Sequence, residues 1–273
     1  MNEGIISPKL DIMFKSMFSQ EENEDMLHDF LATALDLSYD SIKKIDVLNS
    51  DVLPDDPNGK FSRMDMKLHV DDRLVNVEMQ ISSQSDYKDR TLYYWAKMYS
   101  DSLKKGSRYS ELKQSIAINI IDFNMFNCKE FHSQFKVMET ERHELLSDKC
   151  AIHFFELKKI NKEININNRI KLWLQLINAE SEEDLIMLQE TNVPIMQKAV
   201  MTVRKLSADE IMREKAYMRE KALHDEASAL GGARDEGRAE GRAQGRAEER
   251  AEIISNMRTA GMTEEQIKAI IKE

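Results

Sequence analysis

The chain has 273 residues, 41% hydrophobic and 32% charged, which is enough for one enzyme-sized core with an appended segment and too apolar for disorder throughout. A net charge of −10 at pH 7 speaks against a passive DNA-coating protein, whose affinity comes from Lys and Arg neutralising phosphates. It leaves open an enzyme with an acidic site that cations neutralise. The start has no basic leader with an apolar core, and the greasiest stretch, Ser115 to Ile121, is far short of a membrane span. Cys128 and Cys150 lie far apart with no CxxC partner, so neither a disulfide framework nor a zinc site is expected, and a cytoplasmic protein without a membrane segment is.

In chain order, Ile12, Phe14, Met17 and Phe18, then Met26, Leu27, Phe30 and Leu31, recur at spacings of three and four and predict two short helices within the first 37 residues. A strand is expected over Ile42 to Leu48 and a loop at the turn-rich cluster Pro54 to Gly59. Met64, Met66, Leu68 and Val70 then alternate with Arg63, Asp65, Lys67 and His69, and Val75, Val77 and Met79 alternate with Asn76, Glu78 and Gln80. This predicts a hairpin with one apolar and one wet face. A long helix over Ser82 to Lys105, closed by Gly106, carries Tyr87, Leu92, Trp95, Tyr99 and Leu103. Ile116 to Ile121 and Ala151 to Leu157 are strand-length apolar runs, and from about Asn168 to Leu230 the pattern is helical. Aromatic residues such as Tyr93, Tyr94 and Trp95 are read mainly as core, and the lone histidines His69 and His153 as non-catalytic.

Keeping both apolar rows of the hairpin on one face requires a loop with an even number of residues, which Asp71 and Asp72 supply. Counting back from Val70 opposite Arg73 places Lys67 opposite Asn76, Asp65 opposite Glu78 and Arg63 opposite Gln80. Directly opposed Cβ atoms stand about 4.5–5.5 Å apart, close enough for two carboxylates to share one ion. Like charges so placed repel unless a cation bridges them, and Mg²⁺, which prefers oxygen ligands, suits the arrangement.

An aspartate followed by an E-x-K-like tripeptide, here Glu78-Met79-Gln80, resembles the PD-(D/E)XK nuclease superfamily. The nearest resemblance is to the Rpn family of recombination-promoting nucleases, also called transposases, whose members typically carry glutamine in place of the lysine. Asp11 to Lys15, Arg63-Met64-Asp65, Arg90 to Lys97, Ile118 to Phe123, the Ala151 to Leu157 strand and the EGRAEGRAQGRAEE tail all match its pattern in order, covering about residues 5 to 160 plus the tail. The resemblance implies that Asp65 and Glu78 hold the metal and that Asp11 is an outer or additional ligand. It also puts Gln80 in the position of the catalytic lysine. Glutamine can only orient water or phosphate by hydrogen bonds, so Arg63, Lys67, Arg90 or Lys97 would have to supply the missing charge to the phosphate.

The tail repeats GRAE, GRAQ, GRAE and ERAE from Gly237 to Glu252, and between Gly231 and Arg250 five arginines meet five acids. A neutral stretch of this kind is no simple DNA-gripping arm. On a helix a period of four drifts by about 40° per repeat and stacks like charge above like charge, which a partner helix could neutralise. Self-association through the tail is one reading and a flexible charged linker the other. Thr263 with Gln266 forms a capping box for a last short helix.

The expected fold is α/β, a restriction-endonuclease-like mixed central sheet flanked by helices, followed by a helical segment and a repetitive helical tail, divided at 1–165, 166–230 and 231–273. The expected function is a metal-dependent DNA endonuclease using Mg²⁺ or another divalent cation such as Mn²⁺, tied to recombination or a mobile element, with DNA as partner and a homo-oligomer formed through 231–273. The rivals are an interaction protein with a catalytically degenerate nuclease fold and a transposase moving its own element.

Overall fold

Apolar residues at helical spacing near the start of the chain do form two helices, α1 (Asp11–Phe18) and α2 (Glu24–Ala34). Met13, Phe14, Met17 and Phe18 on the first and Met26, Leu27, Phe30 and Leu31 on the second are all buried. The computed structural model describes residues 4–48, 51, 52, 62, 63 and 66–271; the turn cluster at 54–59 and Asp65 lie outside the described residues.

Strands β1 (Ile45–Leu48), β2 (Asp51–Val52), β3 (Ser62–Arg63), β4 (Met66–Val70) and β5 (Arg73–Gln80) follow, and then α3 (Tyr87–Asp101). Beyond α3 come β6 (Ser115–Ile121), β7 (His132–Phe135) and β8 (Cys150–Glu156). Six strands form one mixed sheet in the order β1-β4-β5-β6-β8-β7, while β2 and β3 pair separately. β5, β6 and β8 run parallel, and the other ladders of the sheet are antiparallel.

The β4–β5 hairpin has the register that its even loop demands, with Val70 opposite Arg73, Lys67 opposite Asn76 and Met66 opposite Val77. Asp71 makes the turn with a left-handed φ of 53°, and its carboxylate accepts the N–H groups of Lys43 and Lys44, tying the turn to the chain entering β1. Arg63, expected opposite Gln80, pairs instead with Asp51, because the chain at 62–63 stays with the 51–52 segment. The helix expected over Ser82 to Lys105 is shorter at both ends. Ser102 Oγ turns back to the carbonyl of Tyr99 where α3 ends, and Gly106, with φ of 88°, serves a separate turn.

Two compact units are present, Met1–Tyr217 and Met218–Glu273. In the first, α4 (Arg169–Ile177) packs with α2, α6 (Pro194–Ala208) packs with α1 and α2, α5 (Glu182–Gln189) packs on α4 and α6, and Trp173 meets the rings of Phe18 and Phe30 at 5.6 and 6.0 Å. Trp173 also donates to the buried Asp29 at 2.8 Å. α1 approaches β5, whose apolar row Val75, Val77 and Met79 is buried. A long helix, α7 (Glu210–Thr259), enters the second unit, where α8 (Glu264–Ile270) turns back after Gly261 with Ile267 buried and Arg258 paired to Glu264 at 2.7 Å. No helix among the described residues is long and apolar enough to cross a membrane.

Candidate functional site

Strand alternation sends Asn76, Glu78 and Gln80 to the face of β5 opposite Val75, Val77 and Met79. That face was expected to be wet, but Asn76 is only 5% exposed and Glu78 only 8%. The cover is α3, which returns over the strand that feeds it. Tyr87 and Thr91 of α3 both donate to Asn119 Oδ1 on the neighbouring β6, at 3.1 and 3.2 Å. Below them Tyr87 packs with Ala117, Ile121, Ile152 and Phe154.

Arg90, one turn into α3, organises the site. One terminal nitrogen donates to Gln80 Oε1 at 2.8 Å and lies 3.9 Å from Glu78 Oε2, while the other donates to Gln84 Oε1 at 2.8 Å. The guanidinium rests over the Tyr87 ring, 4.8 Å from its centroid. Gln80 gives its own amide N–H to the carbonyl of Ser82 at 2.9 Å, so both ends of the amide are engaged. At position 80 the chain therefore has a glutamine that holds an arginine of α3.

Glu78 Oε1 accepts a hydrogen bond from Asn76 Nδ2 at 3.0 Å. Burial pushes the Glu78 carboxyl above the usual carboxylate range, against the opposing pull of the Asn76 hydrogen bond and the Arg90 charge. Two polar atoms beside it, Asn76 Oδ1 and Arg90 Nε, are buried without a hydrogen-bond partner among the described residues. An under-compensated carboxylate with an unfilled carbonyl oxygen next to it is an oxygen donor set of the kind that a hard divalent cation takes. Among the described residues no group of three or more His, Cys, Asp or Glu comes together, and Asp65, the expected second carboxylate, lies outside them.

Of the other expected site residues, Asp11 opens α1 and its Oδ1 accepts the N–H of Ile12 at 2.9 Å. Lys67 is half-buried on β4 opposite Asn76, one residue row from Glu78. Lys97 is half-buried two turns beyond Arg90, about 10 Å further along the α3 axis. Arg63 belongs to the β2–β3 pair. Tyr93 is exposed on α3, whereas Trp95 is partly buried and donates to the carbonyl of Ser115 at 2.8 Å.

The sequence reading passed over Asn76 and Gln84. Asn76 had a visible signal, since it shares the polar row of β5 with Glu78 and Gln80. It also passed over an ionic link beside the strand ends. Asp122 donates its N–H to the carbonyl of Gln80, and its carboxylate pairs with Lys9 at 3.2 Å and Lys158 at 3.1 Å, while Lys9 also reaches Glu180 at 2.8 Å. His153, expected to lack a histidine partner, has one from the edge strand: His132 Nε2 lies 3.0 Å from its Nδ1.

In a comparison with known families, the model described as PD-(D/E)XK nuclease family transposase matches residues 8–233. No curated protein and no solved structure matches the chain.

Proposed function

Because the chain belongs to the PD-(D/E)XK nuclease family transposases, we propose that it is a DNA endonuclease that hydrolyses phosphodiester bonds with Mg²⁺ or Mn²⁺ held by Glu78 and Asp65. The observation that carries this reading is the Glu78 carboxylate, which among the described residues is buried with one hydrogen bond and a cation no nearer than 3.9 Å. Desolvating a carboxylate without a close counter-charge is costly, and a bound cation removes that cost. Such a cation would activate water and polarise the phosphate at neutral pH.

The remaining work falls to the chain. Gln80 fixes Arg90, and the partly exposed guanidinium offers positive charge to the phosphate as negative charge grows on it. Tyr87 beneath the guanidinium and Gln84 beside it limit its freedom, so little reorganisation is needed when substrate arrives. Arg63, Lys67 and Lys97 are assigned to neighbouring phosphates and Asp11 to an outer or additional metal contact. The family description supports a role in recombination or in a mobile element, which we assign here, and we place the protein in the cytoplasm.

The tail is read as a self-association helix. A methyl group on Gly237, Gly241 or Gly245 would meet nothing within 4 Å, so nothing nearby requires these glycines. Each costs about 1 kcal/mol of helix propensity relative to alanine, and close approach of a second helix is a use for them.

Supercoiled plasmid incubated with the full chain and Mg²⁺ should be nicked, and EDTA should stop the nicking. One observation favours the rival interaction protein: the nitrogen and the oxygen of the Gln80 amide each already bond within the chain. Intact plasmid after incubation with folded, cation-loaded protein would decide for that rival.

A further inference from the structure

Asn76 is an unexpected residue for its position. It lies on β5 between Lys67 of β4 and Ala117 of β6, inside the sheet and 95% removed from solvent by its 5% exposure. Asparagine is a poor strand residue, and burying a carboxamide with an unfilled carbonyl is destabilising. Its row neighbours, Leu74 on β5 and Ala117 on β6, show that the fold accepts apolar side chains there. Packing alone gives no reason for the amide.

Its orientation follows from chemistry. An ionised carboxylate only accepts, so the amide nitrogen must face Glu78 Oε1, 3.0 Å away, and the carbonyl oxygen must point elsewhere. The donors of α3 do not fill it, because Tyr87 and Thr91 spend their hydroxyl hydrogens on Asn119, and Asn119 donates in turn to the carbonyl of His153 at 3.0 Å. Asn76 Oδ1 is left as a buried acceptor without a partner beside the carboxylate assigned to the metal. A hydrated divalent cation brings the missing donors, since Mg²⁺ and Mn²⁺ keep several waters when bound by one or two carboxylates.

We propose that Asn76 is a positioning residue of the cation site: its N–H holds the Glu78 carboxylate in one orientation, and its carbonyl oxygen receives a water of the cation's hydration shell. The inference rests on the reading of the chain as a divalent-cation nuclease. Outer-shell partners of this kind typically govern about 10–100-fold in metal affinity.

The test is Mn²⁺ affinity by titration calorimetry on the full chain, with the melting temperature of the cation-free protein measured alongside. Asn76→Ala and Asn76→Leu should each weaken Mn²⁺ binding by at least about tenfold. Their cation-free melting temperatures should stay within about 3 °C of wild type, because losing the N–H that Glu78 accepts is offset by losing the unfilled oxygen. Asn76→Ser, which keeps a short group able to donate and accept, should recover part of the affinity. If wild type binds Mn²⁺ and both apolar variants bind it equally well, the role of Asn76 is wrong and the metal reading stands. If wild type binds no Mn²⁺, the metal reading fails and takes the proposal with it. If both apolar variants lose the folded state, Asn76 is a structural residue and the proposal is overturned.

Discussion

Arg90 donates a hydrogen bond to Gln80 Oε1 at 2.8 Å, so a residue of the helix after the hairpin and the last residue of β5 act as one unit. Arg90→Ala should lower the single-turnover cleavage rate by about 10²–10³, the usual cost of one preorganised contact to the transition state. Gln80→Ala should lower it less, because Gln84 still holds the other guanidinium nitrogen. The double variant should be no slower than Arg90→Ala alone, as expected of coupled neighbours. Adding Gln80→Lys to Arg90→Ala should restore part of the rate by returning a cation to the strand. Losses that simply multiply would mean the two residues work separately.

Glu78 is costly to the cation-free protein, because burial disfavours its charge and Arg90 is too far to form a close pair. Its raised folded pKa means that its contribution is most favourable below the ordinary carboxylate range and is lost as pH rises through the folded value. Glu78→Gln should therefore melt at an equal or higher temperature than wild type at pH 7 without cation. It should also lose the rise in melting temperature that Mn²⁺ gives wild type. Thermal melts with and without Mn²⁺ check both parts, and a variant that melts lower without cation would contradict the account of Glu78.

His153 is 3% exposed, and burial, with the nearby charges of His132 and Lys136, lowers its pKa from 6.5 to about 4. His132 is lowered too, mainly by burial, with Asp36 pulling the other way. A depressed folded pKa gives stability that is present above the unfolded value and lost as pH falls through the folded one, so the loss runs from about pH 6.5 to 4. For His153 alone it is on the order of 2–3 kcal/mol. Melts of wild type and His153→Gln across this window should converge toward pH 4, and a constant difference between them would refute the assignment.

Much of this arrangement is legible in the chain itself. Alternation around Asp71 and Asp72 gives the hairpin register, and the apolar runs at Ile116 to Ile121 and Ala151 to Leu157 mark β6 and β8, though not that they run parallel. What alternation cannot tell is whether a polar row meets water or a helix. Asn76 and Glu78 read as a wet face, and their burial depends on where α3 lies, a long-range relation without a local signal. The same return of α3 decides which of several candidate cations approaches Gln80. β7 escaped notice because His132, Ser133, Gln134 and Phe135 carry no apolar alternation; pairing with β8 makes this segment a strand and brings His132 to His153. The packing of α4 and α6 on α1 and α2 is likewise tertiary, since periodicity shows that a helix has an apolar face but not which partner covers it.

The most direct measurement is the rate of plasmid nicking in Mg²⁺ by carefully purified wild type beside Asp65→Ala, each first shown by circular dichroism to be folded. The account predicts cation-dependent nicking by wild type and a loss of at least about 10²-fold in the variant, with no change of fold. Equal nicking by the folded variant would show that the activity does not use the Asp65–Glu78 pair and would contradict the assignment of the site.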